Sequence, residues 1–216
     1  MTANFSWLAF FISLLLLGAY EVRAHLIGRH DPARFARYAN ANARVHWVEV
    51  LSAQPGFEIV AVQALRNSLM SATISASTAA LAVMGALTLI GTTLVSDLPN
   101  FVTHMSSGGL HTVLQTILVT ALFASYICST MAMRYYGHAS FIMSMPVGSA
   151  QRVAFNPMAA DHVRRAGLLY GWGLRLFLMV APLVAGVVFP LAMPLVTLLL
   201  LVALHFFDQP ARLKVD

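Results

Sequence analysis

Residues 69–95 read LMSATISASTAALAVMGALTLIGTTLV, a stretch without a single charged side chain. About 20 mostly apolar helical residues cross the roughly 30 Å hydrocarbon core of a bilayer, so this stretch predicts a membrane-spanning helix. Four more stretches approach or exceed that length, at about 5–22, 110–133, 167–188 and 191–207. The sequence therefore predicts an all-α, polytopic integral membrane protein with five transmembrane helices.

Composition supports the same class and excludes a water-soluble protein. Hydrophobic residues make up 59% of the 216 residues, charged residues make up 10%, and the mean hydropathy is +0.75. Soluble domains carry roughly 25% charged residues. Because the apolar stretches leave little chain for an extramembrane core, we interpret residues 1–216 as one transmembrane domain with loops at 23–58 and 134–166. The single cysteine, Cys128, excludes an intrachain disulfide and a cysteine-based metal site.

Two of the apolar regions allow an alternative interpretation. The first resembles a secretory signal, but no Lys or Arg precedes it, and Glu21 and Arg23 follow it directly. We therefore interpret it as a retained span. The last two stretches are interrupted only around Pro190 and Pro194, which indicates a tight hairpin. One kinked span followed by an interfacial helix is the alternative.

Basic residues fall on one side of the five predicted spans. They lie between spans one and two, between spans three and four, and in the tail, whereas residues 96–109 and the turn at Pro190 contain none. Since basic loops stay in the cytoplasm, we predict an external N-terminus, a cytoplasmic C-terminus and the hairpin. The preference for Arg over Lys and the absence of a transit peptide favour a bacterial cytoplasmic membrane.

The basic loops predict contact with anionic lipid headgroups at the cytoplasmic face. They do not predict nucleic-acid binding, because no aromatic side chains interleave them as a base-stacking platform. Residues 29–47 are predicted to contain a helix that lies at the headgroup level. Residues 135–163 contain Gly, Pro and Met without periodicity, which indicates a partly irregular loop.

The helix around the second span carries an unusual number of polar residues. The polar set is Gln63, Arg66, Asn67, Ser71, Ser75 and Thr78. Several of these share one helical face, and polar groups are costly in lipid unless they meet water or protein, so the face is a candidate polar path. The alternative is close helix packing through a ladder of small residues. The ladder is Ser68, Ala72, Ala76 and Ala80.

Charges at the cytoplasmic ends of the spans form a second candidate site, made of Arg134, Arg175 and Asp208. Arg175 lies roughly two turns inside the fourth predicted span. Its side chain either snorkels to the headgroups or forms a buried ion pair, with Asp208 as the candidate partner. Glu58 and Asp161 are further candidate counter-ions.

Motifs for catalysis, metals and cofactors are missing from the sequence. It contains no Gly-rich phosphate loop, no HExxH pair and no serine nucleophile elbow. His46, Glu49 and Glu58 are the only candidate acid–base groups, and their spacing indicates no mechanism. We interpret His104 and His111 as ordinary span-end histidines. We therefore predict no catalytic residue, metal ligand or cofactor.

Several segments resemble one family of bacterial and plant membrane proteins. They include QALRNSLMSAT at residues 63–73, GLRLF at residues 173–177 and LHFFD at residues 204–208, with Trp47 upstream of the first segment and Arg134 between the first two. This pattern is similar to the family known as domain of unknown function 599, and it covers nearly the whole chain. The resemblance implies a multispanning protein and supplies no catalytic or ligand residues.

Three functions are compatible with these observations. The favoured one is a pore or transporter in which the second helix lines a Ser/Thr-rich path. The second is a structural or accessory subunit that binds a partner through small-residue helix faces. The third is a membrane enzyme acting on lipid. Because one helix is polar along much of its length, we also expect a homo-oligomer or a membrane-protein partner.

Overall fold

The structure, a computed structural model, describes residues 2–30, 36–96 and 109–209. Within these ranges the chain forms α-helices and one short 3₁₀ turn, and no β-strand. The helices are α1 (Thr2–His30), α2 (Ala36–Ser52), α3 (Glu58–Ser96), α4 (Leu110–Met143), α5 (Ala150–Leu178), α6 (Val180–Val188) and α7 (Met193–Asp208). The 3₁₀ turn Pro190–Ala192 joins α6 to α7.

Five helical segments of the described chain are long and apolar enough to cross a membrane. They are Asn4–Ala24, Glu58–Gly91, Leu110–Met143, Ala150–Val188 and Pro190–Asp208. The described chain is therefore all-helical, as predicted, and contains five helices that are long and apolar enough to span a membrane. Helices α5 and α6 count as one span, because the backbone continues from one into the other at Met179. The orientation of the termini stays a prediction.

The predicted hairpin between the last two spans is present. The N–H of Phe189 donates to the Ala185 carbonyl at 2.7 Å, and the 3₁₀ turn then reverses the chain direction. Gly186 permits this close return, since a Cβ built on it would lie 3.0 Å from Met193 Sδ. Helix α7 consequently runs back beside α1 and α6.

Helices α3 and α4 are longer than a bilayer requires. They contain 39 and 34 residues, or about 58 and 51 Å at 1.5 Å per residue, against a hydrocarbon core of roughly 30 Å.

Residues 135–163, which were predicted to form a partly irregular loop, are helical apart from residues 144–149. Helix α4 therefore extends into this segment. Its buried residues Ala132, Tyr136, Ala139 and Met143 recur at helical spacing, so one packed face continues beyond the apolar span.

Composition suggested that residues 29–47 contain a helix lying flat at the headgroup level. Helix α2 instead packs along α5. Ser52 Oγ donates to Asn156 Oδ1 at 3.1 Å, and the Arg44 guanidinium lies directly over Gly167. Later residues of α2 therefore meet earlier residues of α5, and the two helices pack antiparallel. Residues 31–35 of the predicted surface helix lie outside the described residues.

Four helical segments enclose a core of their own, which composition did not predict. The segments are α2 and the adjoining parts of α3, α4 and α5. The buried residues at their centre include Val48, Leu65, Tyr136, Met143 and Val163. We call this unit the extension bundle. A second core lies at the opposite end of the molecule, around Phe10, Leu114, Leu183 and Met193, where α1, α4, α6 and α7 meet.

Small residues bring the long helices together. Ala72, Ala76 and Ala79 of α3 are buried, and α3 packs mainly against α4. The small-residue ladder is therefore used within the chain. Helices α4 and α5 approach still more closely, since Ser125 Oγ donates to the Gly173 carbonyl at 2.7 Å. A Cβ on Gly173 would lie 2.7 Å from Ser129 Oγ and 3.3 Å from the Ser125 carbonyl oxygen.

We predict that Gly173→Ala destabilises the protein by about 1–3 kcal/mol, because the added methyl forces α4 and α5 apart. Gly171→Ala is the matched control on the same helix, where a Cβ meets nothing within 4 Å. The control is expected to be neutral or stabilising, because alanine favours a helix more than glycine does. Thermal unfolding of the purified proteins in detergent measures both changes.

Adding Ser129→Ala to Gly173→Ala should recover part of the lost stability. Ser129 Oγ is the atom nearest the new methyl, and among the described residues it has no hydrogen-bond partner that would be lost. Equal melting temperatures for the Gly173 and Gly171 variants would show that the helix crossing is looser than the structure indicates.

Candidate functional site

A buried ion-pair network joins α1, α5 and α7. Arg175 is its centre, with a side chain that is 7% exposed. Its Nη1 donates to Glu21 Oε1 at 2.6 Å, and its Nη2 donates to both carboxylate oxygens of Asp208. The hydroxyl of Tyr20 donates to Asp208 Oδ2 at 2.7 Å. One guanidinium is therefore shared by two carboxylates, from the first and the last span.

The fold positions these groups at one depth. Arg175 lies about 21 Å along the helix from the turn after Phe189, a distance of about two thirds of the hydrocarbon thickness of roughly 30 Å. Helix α7 returns over a similar length and ends at Asp208. Of the two sequence interpretations of Arg175, the structure has the buried ion pair with Asp208. Glu21 is a second partner of Arg175 in the structure. The sequence analysis noted Glu21 only as a residue at the end of the first span.

Most of the polar set of α3 lies on the outer surface of the chain. Gln63, Arg66, Asn67, Ser71 and Thr78 are exposed on the outer surface, and Ser75 is partly buried. The hydroxyl of Ser71 donates to the Asn67 carbonyl at 3.1 Å, and that of Thr78 donates to the Ile74 carbonyl at 2.9 Å. These hydroxyl hydrogens are thus satisfied within their own helix.

Most of this polar set lies in the extension bundle. Ser75 and Thr78 border a cleft of about 130 Å³ together with Gly173, two residues from Arg175. Thr78 is therefore level with the Arg175 network. The residues from Gln63 to Ser75 lie on the side of the network that faces the extension bundle. The remaining stretch from Thr78 to Ser96 is about 27 Å long, close to the thickness of the hydrocarbon core.

The other charged candidates do not join the network. Arg134 is exposed, and its Nε lies 3.5 Å from His138 Nε2. Glu58 accepts from the Val147 N–H at 3.0 Å, and Asp161 pairs with Arg165 at 2.6 Å.

The candidate histidines His46 and His111, whose side chains the structure describes, are not brought together into a site. His46 Nδ1 and Glu49 Oε2 lie 3.0 Å apart on the exposed face of α2, without Glu58 beside them. His111 Nε2 is 3.0 Å from Gln115 Nε2, and His104 lies outside the described residues. No three His, Cys, Asp or Glu side chains of the described chain are grouped as they would be in a metal site.

Sequence reasoning also missed Arg152, which is fully buried at the start of α5. Its Nε donates to Asn156 Oδ1 at 2.7 Å, and its Nη1 donates to the Ile142 carbonyl at 2.5 Å. The side chain thus closes the turn between α4 and α5. In the sequence, Ser149 was the local signal for the start of this helix. Its hydroxyl caps α5 by accepting from the Arg152 N–H at 3.2 Å.

A groove of about 450 Å³ runs between α1 and α4, and Glu21 lies at one end of it. Its walls are mainly apolar and include Phe10, Leu14, Leu17, Ile117, Ala121 and Leu183. Thr116 and Thr120 add two hydroxyls, which donate to the carbonyls of Thr112 and Thr116 at 2.9 and 2.8 Å. The groove remains because α1 packs on α7 and the 3₁₀ turn rather than on α4.

Residues 8–212 match the family model described as "Protein of unknown function, DUF599". The chain belongs to the DUF599 family. The matched range of this DUF599 protein contains most of the first span, the other four spans and the whole Arg175 network. Searches of curated proteins and of solved structures found no match.

We predict that Arg175→Met destabilises this DUF599 protein by about 3–5 kcal/mol, because it leaves two nearly buried carboxylates without their shared cation. Arg164→Met is the matched control, since Arg164 is 45% exposed and pairs with Asp161 on the surface of α5. An exposed pair contributes about 0–1 kcal/mol. Thermal unfolding in detergent compares the two variants, and equal losses would contradict a structural role for the network.

Proposed function

We propose that this DUF599 protein binds a single-chain amphiphile in the groove between α1 and α4, as the binding step of membrane transport. The observation that carries this proposal is the groove itself, which is apolar along its length and ends at a carboxylate. Its volume of about 450 Å³ lies within the range of small-molecule sites, roughly 300–1,000 Å³.

The dimensions of the groove favour an extended chain over a compact ligand. Phe10 and Glu21 both line it and lie three helical turns apart on α1, about 16 Å. A hydrocarbon chain of about a dozen carbons has a comparable length. Such a ligand would place its apolar part along α1 and its polar head near Glu21, so that each part meets a matching wall.

A polar path along α3 receives less support. Its hydroxyls face outward and hydrogen-bond within the helix, so a second copy of the chain would have to cover this face to enclose a path. The same surface favours a second candidate, an accessory or oligomeric role. Ile59, Met70 and Ile74 are more than half exposed beside the polar set, and large exposed apolar side chains mark binding surfaces. We propose a second copy of the chain as the occupant.

The setting that we propose follows the basic residues. Arg66 and Arg134 are exposed near the extension bundle. We propose that this end of the protein faces the cytoplasm of a bacterium and contacts anionic lipid headgroups.

The groove is tested by filling it. We predict that Gly18→Phe abolishes saturable binding of 12-bromododecanol, a neutral single-chain probe. Gly18 lines the groove, and a Cβ there meets nothing within 4 Å, so the ring can occupy the space without a clash. Gly85→Phe on α3 is the matched control, because Gly85 is also an unobstructed helical glycine that does not line the groove.

Quenching of Trp7 fluorescence by the terminal bromine provides the readout. Trp7 packs against Phe10 at a ring-centroid distance of 6.0 Å, at the end of the groove away from Glu21. Trp47→Phe and Trp172→Phe make Trp7 the only fluorescent tryptophan. Saturable quenching in the Gly85 variant but not in the Gly18 variant supports the proposal. Equal quenching in both, or none in the parent protein, overturns it.

The second candidate is tested by crosslinking at Ser71→Cys, in a Cys128→Ala background and in native membranes. If α3 binds a second copy, mild oxidation should give a disulfide-linked dimer. Glu49→Cys is the control, because Glu49 is 61% exposed on α2, away from α3. An adduct with another protein favours the accessory role. Equal crosslinking at the two positions would indicate random collision and remove the support for this surface.

A further inference from the structure

We infer that Arg44, whose guanidinium lies over Gly167 in the extension bundle, binds the phosphate group of a ligand. This inference is independent of the groove, and it gives the proposed contact with anionic headgroups one defined site. It follows from the position of the guanidinium, from the groups that the described residues place around it, and from the distance of Gly167 from the hairpin turn.

The Arg44 guanidinium occupies space that any side chain at residue 167 would fill. Arg44 belongs to α2, and Gly167 is a buried residue of α5. A Cβ built on Gly167 would lie 2.6 Å from Arg44 Cζ and 3.0 Å from Arg44 Nε, which is closer than ordinary van der Waals contact. The absence of a side chain at residue 167 therefore allows the charge of Arg44 to lie against α5.

Hydroxyl groups lie near this charge. Arg44 interacts electrostatically with Tyr136 of α4, which also interacts with Tyr170 of α5 and Ser68 of α3. Arg44, Tyr170 and Ser68 are each partly exposed, so a ligand can reach them from the surface. Tyrosine hydroxyls donate hydrogen bonds to anionic oxygens. Residues of all four helices of the extension bundle therefore contribute to one basic, hydroxyl-bearing site.

No carboxylate of the described chain forms an ion pair with Arg44. The five described carboxylates contact other groups, and they are Glu21, Glu49, Glu58, Asp161 and Asp208. The two buried arginines have protein partners, because Arg175 is paired with carboxylates and Arg152 donates to carbonyl and amide oxygens. Arg44 has neither kind of partner among the described residues, although part of its side chain is removed from water. A bound anion would supply the missing acceptor.

Phosphate is the anion that a guanidinium recognises best. The planar guanidinium donates two parallel hydrogen bonds to two phosphate oxygens, and these charge-assisted bonds are roughly twice as strong as neutral ones. Such two-point binding depends on a fixed orientation of the arginine. The contact with Gly167 restricts that orientation, so Arg44 differs from the fully exposed Arg66 and Arg134.

The position of Gly167 favours a lipid as the source of the phosphate. Gly167 lies about 33 Å along the helical path from the turn after Phe189, and the hydrocarbon core is roughly 30 Å thick. In the proposed membrane setting, this distance places Arg44 at the level of the cytoplasmic headgroups, where the phosphates of lipids lie. A soluble phosphate monoester offers the same chemistry, and the experiment separates the two sources.

Phosphatidic acid and diacylglycerol with the same dibrominated acyl chains differ only in the phosphate. Each is titrated into micelles of a neutral detergent that contain the protein, and quenching of Trp47 fluorescence is the readout. Trp47 lies one turn after Arg44 on α2 and packs against the core of the extension bundle. Trp7→Phe and Trp172→Phe make Trp47 the only fluorescent tryptophan. We expect phosphatidic acid to bind about tenfold more tightly than diacylglycerol.

Gly167→Ala tests the position of the guanidinium without removing a charge. The added methyl meets the flexible end of Arg44 rather than backbone, so we expect the variant to fold and to lose most of the preference for phosphatidic acid. Gly171→Ala is the matched control, because a Cβ there meets nothing within 4 Å. Arg44→Gln should lose the preference as well, whereas Arg66→Gln, which removes an exposed arginine of α3, should keep it.

Glycerol 3-phosphate separates the two sources of phosphate. It is added at constant ionic strength, and the melting temperatures of the parent protein and of Gly167→Ala are compared, because a ligand of the folded state raises the melting temperature. A rise in the parent protein alone supports a site that also accepts soluble phosphate monoesters. No rise, together with a preference for phosphatidic acid, supports a site for lipid headgroups.

Two results would overturn the inference. The first is equal binding of phosphatidic acid and diacylglycerol without any effect of glycerol 3-phosphate. The second is a preference that survives Gly167→Ala, or that falls equally in the two control variants, because the attraction would then come from the diffuse positive charge of this end of the protein. If Arg44→Gln does not fold, Gly167→Ala still decides. Quenching of Trp7 by 12-bromododecanol reports the groove separately, so either proposal can fail without the other.

Discussion

The buried Arg175 guanidinium, inside the fourth apolar span, requires a counter-charge, and this requirement joins the first, fourth and last spans. A charge there is costly unless protein groups neutralise it. Asp208 and Glu21 do so from the last and the first span, and Tyr20 adds a hydrogen bond to Asp208. The two outermost spans are thereby fixed to α5. With α1 held at this end by the ion pair and at the other by the Phe10 core, its middle stands away from α4, and the groove occupies that space.

Polar residues are distributed differently in the extension bundle than in the rest of the protein. The extension bundle contains buried residues of α2, α3, α4 and α5, and it begins where the bilayer-crossing lengths are used up. Its outer surface carries the exposed side chains of Asn67 and Ser71. The density of polar residues along α3 thus accompanies a helix that is longer than one bilayer crossing requires. A helix that lined a pore along its whole length would present the same composition, which is why composition alone favoured a path.

Hydropathy was sufficient to predict the class of fold and the five spans, because crossing a bilayer imposes a length and a composition on each helix. The pairing of Arg175 with Asp208 was also accessible, since the hairpin brings their positions together. Glu21 was not, because its partner is 154 residues away in the sequence and no local pattern encodes that contact. The upright packing of α2 was missed for a similar reason. An amphipathic helix has one apolar face, and its sequence does not distinguish a lipid surface from a groove beside α5.

The two carboxylates of the network have different surroundings. One of them belongs only to the ion-pair network, and the other also lines the groove. Asp208 receives hydrogen bonds from Arg175 and from Tyr20 and faces away from the groove, so it acts as the main structural partner. Glu21 contacts the same guanidinium through Oε1 but also forms part of the groove wall. The attachment of α1 to α5 and one end of the groove therefore depend on the same glutamate, so a change at Glu21 affects both.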